Sequence, residues 1–262
     1  MKNFPGIIIT ILVTAFILSG CDPVNQAVND TNPGDINWEN GAIIPSPNSQ
    51  SIPDTVATLY QSDAQIMAAE TINKQDSTQI NVPLNLVKLY YNGLLNIYDS
   101  GNSDAKEVTR VNAIHTNSPN SAHQLFLTFN HGQQWSTNWK NGKLHTGISA
   151  IDNLIQKYSL QYGKYYSYTS LSFDGMVLKS ESTLNMYALS NAFKNISEIR
   201  NAEPDGNFVD GSNISALITK DHVVYTFDYG SGDCMAGCIN HTKWQFNVYK
   251  DGTVTFVKKW SN

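Results

Sequence analysis

A chain of 262 residues is long enough for one large domain or two small ones, and 41% hydrophobic residues with 11% aromatics supply a real core. A net charge of −5 carried on only 15% charged residues excludes the basic footprint that nucleic acid demands. The abundance of Asn, Ser, Thr and Tyr suits an uncharged, hydrogen-bonding extracytoplasmic surface.

Lys2 gives a short positive start, and Ile7 to Leu18 form an apolar run. At about a dozen residues the run is too short for the ~20 that span a bilayer, and it reads as the apolar region of a signal peptide. Leu18-Ser19-Gly20-Cys21 follows at once and resembles the lipobox of bacterial lipoproteins. That resemblance implies a signal peptide over residues 1–20 and a mature chain beginning at Cys21, whose thiol takes the diacylglycerol. Each buried acyl methylene contributes about 0.8 kcal/mol, so the two or three chains of a lipoprotein cysteine hold the protein on a membrane without a spanning helix. Asp22 resembles an inner-membrane retention signal of enteric bacteria, and Asp22 to Gln26 lack an acidic export run. The expected address is therefore the cell envelope, on its periplasmic side.

Residues 21–53 are rich in Asn, Pro, Ser and Gly and read as a flexible tether, with Trp38 and Ile43-Ile44 as apolar exceptions that could dock on the domain. Residues 54–262 form the globular region. A helix is predicted over Asp54 to Ile72, with Leu59, Ile66, Met67 and Ala69 near helical spacing. Pro83 suits a first helical position, and Leu86, Val87, Tyr90, Tyr91, Leu94, Leu95 and Tyr98 then mark a core-facing stripe. Leu125, Leu127 and Phe129 alternate as a strand. Gln133 to Trp139 reads as extended chain, which would place Trp135, Thr137 and Trp139 on one face. Ile148 to Tyr158 gives a short amphipathic helix.

Tyr165 to Ser180 reads as a hairpin turning at Asp174-Gly175, and a helix over Thr183 to Ile199 would be capped by Ser182. Asp221 to Tyr229 is a strand, and Lys243 to Trp260 is a second hairpin turning at Asp251-Gly252. Trp244, Phe246 and Val248 share one face of that hairpin. The fold class is α+β, helices on antiparallel sheet. Leu84-Asn85, Leu125 to Phe129 and Lys140-Asn141-Gly142 find counterparts in Leu184-Asn185, Val223 to Phe227 and Lys250-Asp251-Gly252, about 100 residues later. The pattern suggests two duplicated helix-plus-sheet units of cystatin-like kind, over 54–160 and 161–262.

Three cysteines are present, and lipidation consumes Cys21. In an oxidising compartment the remaining pair, Cys234 and Cys238, is expected as a disulfide closing a tight loop through Gly237. The alternatives are redox-active thiols, or a metal site adding His241 and a fourth ligand such as His222. The stretch Gly232 to His241, followed by Trp244-Gln245-Phe246 and Asp251-Gly252, resembles the C-terminal hairpin of uncharacterised Bacteroidota lipoproteins, a family that transfers no activity.

No nucleophile elbow, metalloprotease helix, phosphate loop or dinucleotide fingerprint occurs. No cofactor is implied and no metal is assigned. His115, His123 and His131 recur every eight residues, a spacing that loop histidines explain as well as a metal face does. Glu203 to Asn207 with Asp210 to Asn213 offers oxygen ligands, but successive turns explain it without calcium. The functional lead is aromatic: Trp135, Trp139, Tyr165 and Tyr166 are the candidate binding residues, against the alternative that they fill the core. The expected role is a non-catalytic module that binds an envelope protein, peptide or glycan. The alternative is a periplasmic hydrolase using His131 or His241 with an Asp such as Asp233.

Overall fold

The computed structural model describes residues 43–47, 52–118, 121–206, 210–235 and 237–261. The signal segment, Cys21 and Trp38 lie outside the described residues. Helix α1 (Asp54–Gln75) and helix α2 (Leu84–Asp99) pack on each other and bury Tyr60, Ala64, Met67, Ala68 and Ile72 against Leu86, Tyr90, Leu94 and Ile97. Of the predicted α1 stripe, Met67 and Ala69 are buried, whereas Leu59 is 48% exposed and Tyr60 and Ala64 face inward instead. Pro83 is the α2 N-cap rather than its first turn, and its carbonyl accepts from the amides of Leu86 and Val87. Ile44 docks as anticipated: it is buried in the first core, and its carbonyl accepts from Asn92 Nδ2 at 2.6 Å. After α2, a short helix α3 (Ser103–Lys106), capped by the Asn102 side chain, runs into a wide turn over Glu107–Val111.

The described residues form two four-stranded antiparallel sheets. One has the order β2-β3-β1-β4, from β1 (Gln124–Asn130), β2 (Gln161–Tyr168), β3 (Phe173–Lys179) and β4 (Asn201–Pro204). The other has the order β5-β6-β7-β8, from β5 (Asn213–Ile218), β6 (His222–Ser231), β7 (Asn240–Tyr249) and β8 (Val254–Ser261). The α+β expectation is met. Helices α1 and α2 cover the second sheet, meeting Ile214, Val223, Tyr225, Phe227, Trp244, Phe246 and Val248. The first sheet is covered by α4 (Thr137–Lys140), α5 (Ser149–Lys157) and α6 (Met186–Lys194) through Trp139, Ile151, Ile155, Leu189 and Phe193. The two layers are thus interleaved along the chain, helices first and their sheet last, with the other layer between. Consecutive duplicated units over 54–160 and 161–262 do not describe these cores.

Three local expectations are corrected. Gln133 to Trp139 is not extended: Gly132 at φ +74° reverses the chain, and a 3-10 turn (Gln134–Ser136) leads into α4. Burial drives this, because the helix folds Trp139 over Phe129 while its indole N–H donates to the Leu144 carbonyl at 2.8 Å. The first hairpin turns over Thr169–Leu171, with Ser172 left-handed at φ 58°, and Asp174-Gly175 lies inside β3. Helix α6 starts three residues late, capped by Asn185 rather than Ser182, because Leu184 is held in a bridge with Asn81. No helix among the described residues is long and apolar enough to cross a membrane.

Candidate functional site

Of the four candidate aromatic residues, three belong to the second core. Trp139 is fully buried, and Trp135 and Tyr165 pack beside it, with ring centroids 4.9 Å (Trp135), 5.4 Å (Trp139) and 6.1 Å (Tyr165) from Phe129. Only Tyr166 turns the other way. A β-bulge between Tyr162 and Lys164 shifts the β2 register, so Tyr165 opposes inward Met176 while Tyr166 opposes Gly175.

The outward face of the first sheet then carries an aromatic row across three strands. Phe126 stands edge-on to Tyr166 at 6.2 Å, Tyr166 stacks with Tyr168 at 5.9 Å, and Tyr168 meets Phe173 at 4.9 Å. Gly175 makes the row compact, since a Cβ there would lie 2.7 Å from the Phe126 ring. Cations flank both ends: Lys164 Nζ sits 4.8 Å from the Tyr166 ring, and the Arg200 guanidinium 5.6 Å from Phe173. Glu203 opposes Phe126 on β4 and brings a carboxylate beside the row. These side chains lie outside the hydrophobic core beneath the sheet. Such rings offer faces for stacking, and the cations add attraction for acidic groups. Phe126, Phe173 and Arg200 were not singled out from sequence, although the Leu125–Phe129 alternation already puts Phe126 opposite the core.

At the far end of the β6–β7 hairpin, Cys234 and Cys238 stand at disulfide distance, with Cα atoms 3.9 Å apart. His241 is close by, but its neighbours are carboxylates: Nδ1 donates to Asp228 Oδ1 at 2.8 Å, and Nε2 lies 3.9 Å from Asp210 Oδ2. Asp210 accepts from the backbone amides of Cys238 and Gly211, and these hydrogen bonds hold its carboxyl below the usual range. His222 cannot join this group. It begins β6, whereas His241 pairs with Gly230, roughly 26 Å along the strand at 3.3 Å per residue.

The other histidines are separate as well. His123 and His131 flank the two ends of β1, so the eight-residue recurrence does not build a shared metal face. His115 Nδ1 donates to buried Asp63 at 2.7 Å, and His123 Nδ1 to the Ser180 carbonyl at 2.9 Å. His131 Nδ1 donates to Asp174 at 2.8 Å, and the Asp174 carboxylate also accepts from Ser167 Oγ at 3.0 Å. Burial alone would raise the Asp174 carboxyl, but hydrogen bonds from His131, Tyr165, Ser167 and the Gly132 amide outweigh it and hold it below the ordinary range. Burial, with the bond to Asp174, pushes the Tyr165 hydroxyl up to about 12. The carboxylates at His131 and His241 are therefore Asp174 and Asp228, not Asp233. Ser167 is committed to the carboxylate, not poised at an imidazole as a nucleophile would be.

A polar cleft of about 290 Å³ lies where α1 meets the start of β1, lined by Ser62, Ile66, Thr116, Ser121, His123 and Asp205. Thr116 Oγ1 is buried there without a hydrogen-bond partner, and burial pushes the Asp205 carboxyl up against the opposing charge of Lys179. The cleft is at the small end of ligand sites. Among known proteins, no family model, no curated sequence and no solved structure matches this chain.

Proposed function

We propose that the protein is a lipid-anchored extracytoplasmic lipoprotein that binds an acidic glycan, without catalysis, on the outward face of β1–β3. Cys21 carries the anchor, and the residues between it and the docked Ile44 hold the domain off the membrane. The observation that supports the binding reading is the row Phe126, Tyr166, Tyr168 and Phe173 flanked by Lys164 and Arg200. Rings stack on the apolar faces of sugars, and flanking cations favour uronate or sulfate substituents over neutral chains.

Binding of the purified protein to arrayed neutral and acidic glycans, followed by calorimetry on the best ligand, tests the reading. Tyr166→Ala and Tyr168→Ala are expected to weaken binding about tenfold each with an unchanged thermal midpoint, a loss on the scale of one anchoring contact. Arg200→Gln should weaken acidic ligands more than neutral ones. Absence of any retained acidic glycan, or retention indifferent to these substitutions, overturns the proposal.

A further inference from the structure

The Cys234–Cys238 pair has surroundings that a simple loop staple does not require. Asp210, Cys238 and His241 each present a ligand atom, all within 4.8 Å of one another, and Cys234 Sγ is bonded to Cys238 Sγ. The four side chains come from three segments. Asp210 precedes β5, the cysteines occupy the β6–β7 connection, and His241 sits near the start of β7. Gly230 makes this convergence sterically feasible, since a Cβ there would lie 2.6 Å from Cys238 Sγ.

The orientation of the imidazole is the second observation. His241 Nδ1 faces Asp228 Oδ1 at 2.8 Å, which leaves Nε2 as the nitrogen turned toward Asp210. A carboxylate behind the far nitrogen is the arrangement that fixes tautomer and ring angle in metal-ligating histidines. Asp210 is held in its turn by the amides of Gly211 and Cys238. Both non-sulfur ligands are thus oriented by groups behind them.

We propose that reduction of the Cys234–Cys238 bond converts this hairpin end into a four-ligand site for a divalent metal of the zinc type, formed by both thiolates, His241 Nε2 and the Asp210 carboxylate. The disulfide and the metal site exclude one another, because the sulfur electron pairs that bind the metal belong to cysteines no longer joined. A dithiol reductant is oxidised to its own disulfide as Cys234 and Cys238 become two thiols. The metal then displaces one proton from each thiol as two metal–sulfur bonds form. Two sulfurs, one nitrogen and one oxygen in a tetrahedron match the ligand preferences of zinc.

The test titrates the full chain with Co2+ and then Zn2+ under anaerobic conditions, once oxidised and once after phosphine reduction and removal of the reductant. The reduced protein is expected to bind one equivalent of Co2+, with sulfur-to-cobalt charge-transfer absorption and tetrahedral visible bands that Zn2+ abolishes. The oxidised protein should bind at least about 100-fold more weakly, having lost both thiolate ligands. His241→Ala and Asp210→Asn should each weaken binding to the reduced form by more than about tenfold. Asp228→Asn should cost about 10–100-fold through the imidazole it orients. Peptide mapping of each oxidised variant confirms that the cysteines still pair and the hairpin still folds. Equal affinity of the two redox forms overturns the proposal, as does reduced-state binding unchanged by His241→Ala and Asp210→Asn.

Discussion

Tyr225 of β6 places its hydroxyl directly beneath Gly93 of α2, within 3.3 Å of the Leu89 carbonyl and 3.2 Å of the Tyr90 carbonyl. The ring is fully buried, and Tyr90 meets it edge-on at 6.4 Å. Helix and sheet approach this closely because position 93 has no side chain. A Cβ there would stand 2.0 Å from the Tyr225 hydroxyl oxygen.

Two effects of opposite sign therefore compete in Gly93→Ala. Helix propensity favours alanine by about 0.5–1 kcal/mol, whereas overpacking a core costs about 1–3 kcal/mol. The contact is with a fully buried ring that cannot swing aside, so crowding prevails. Urea unfolding should show a net loss of about 1–2 kcal/mol. A gain in stability would show that α2 and β6 are less closely apposed.

Asn185 joins the two layers. Its side chain caps α6 by accepting from the Ala188 amide, and its Nδ2 reaches the Gln79 carbonyl at 2.9 Å and Asn73 Oδ1 at 3.3 Å. Asn185→Ala removes the cap and leaves the Gln79 carbonyl without this donor. Its expected cost is about 1–2 kcal/mol, read from chemical unfolding. Asn185→Asp keeps the cap but sets a buried carboxylate oxygen against the Gln79 carbonyl, and should cost more than the alanine variant.

Asp174 is one of the carboxylates on which acid stability depends. Its pKa is depressed in the folded protein, so its contribution is fully present above the unfolded carboxyl value near 3.8 and is lost as pH falls through the lower folded value. Asp174→Asn should flatten the stability–pH curve below about pH 4 while lowering stability at neutral pH. An unchanged acid limb would remove Asp174 as its cause. The Tyr165 hydroxyl works at the other end of the scale. Raised to about 12, its contribution is present below the ordinary tyrosine value and disappears as pH climbs through the folded value.

Cys21→Ser should move the protein from the membrane fraction of its native host to the soluble fraction, because no acyl chain remains to hold it. Membrane fractionation with immunodetection reads the outcome directly. Retention of the serine variant on membranes would defeat the anchoring proposal.

The regular elements were legible wherever one face is apolar and the other polar. Leu125, Leu127 and Phe129 alternate cleanly, and β7 buries Trp244, Phe246 and Val248 as its pattern implies. What escaped the sequence was settled by contacts between distant residues. Trp135 and Trp139 alternate as a strand would, yet burying both rings on Phe129 requires a helical turn. Asp174-Gly175 carries turn chemistry, but His131 and Ser167 draw the carboxylate inward and Phe126 takes the space above the glycine. The pairing of Asp210 with the cysteine hairpin was illegible for the same reason, since 28 residues separate Asp210 from the Cys238 amide it accepts.

The chain passes from one layer to the other at a narrow doorway. The chain leaves the first core after Ile114 and rejoins it at Ile214, and between them the Asn117 amide donates to the Ser212 carbonyl at 2.9 Å. Outgoing and returning strands of chain are thus neighbours, so the covalent path into and out of the β1–β4 segment runs through one neck, while Asn185 and Leu184 hold that segment to Gln79 and Asn81 as well. A segment mounted this way enters and leaves its frame at one place, so a change in its length need not move α1 and α2 away from the sheet they cover.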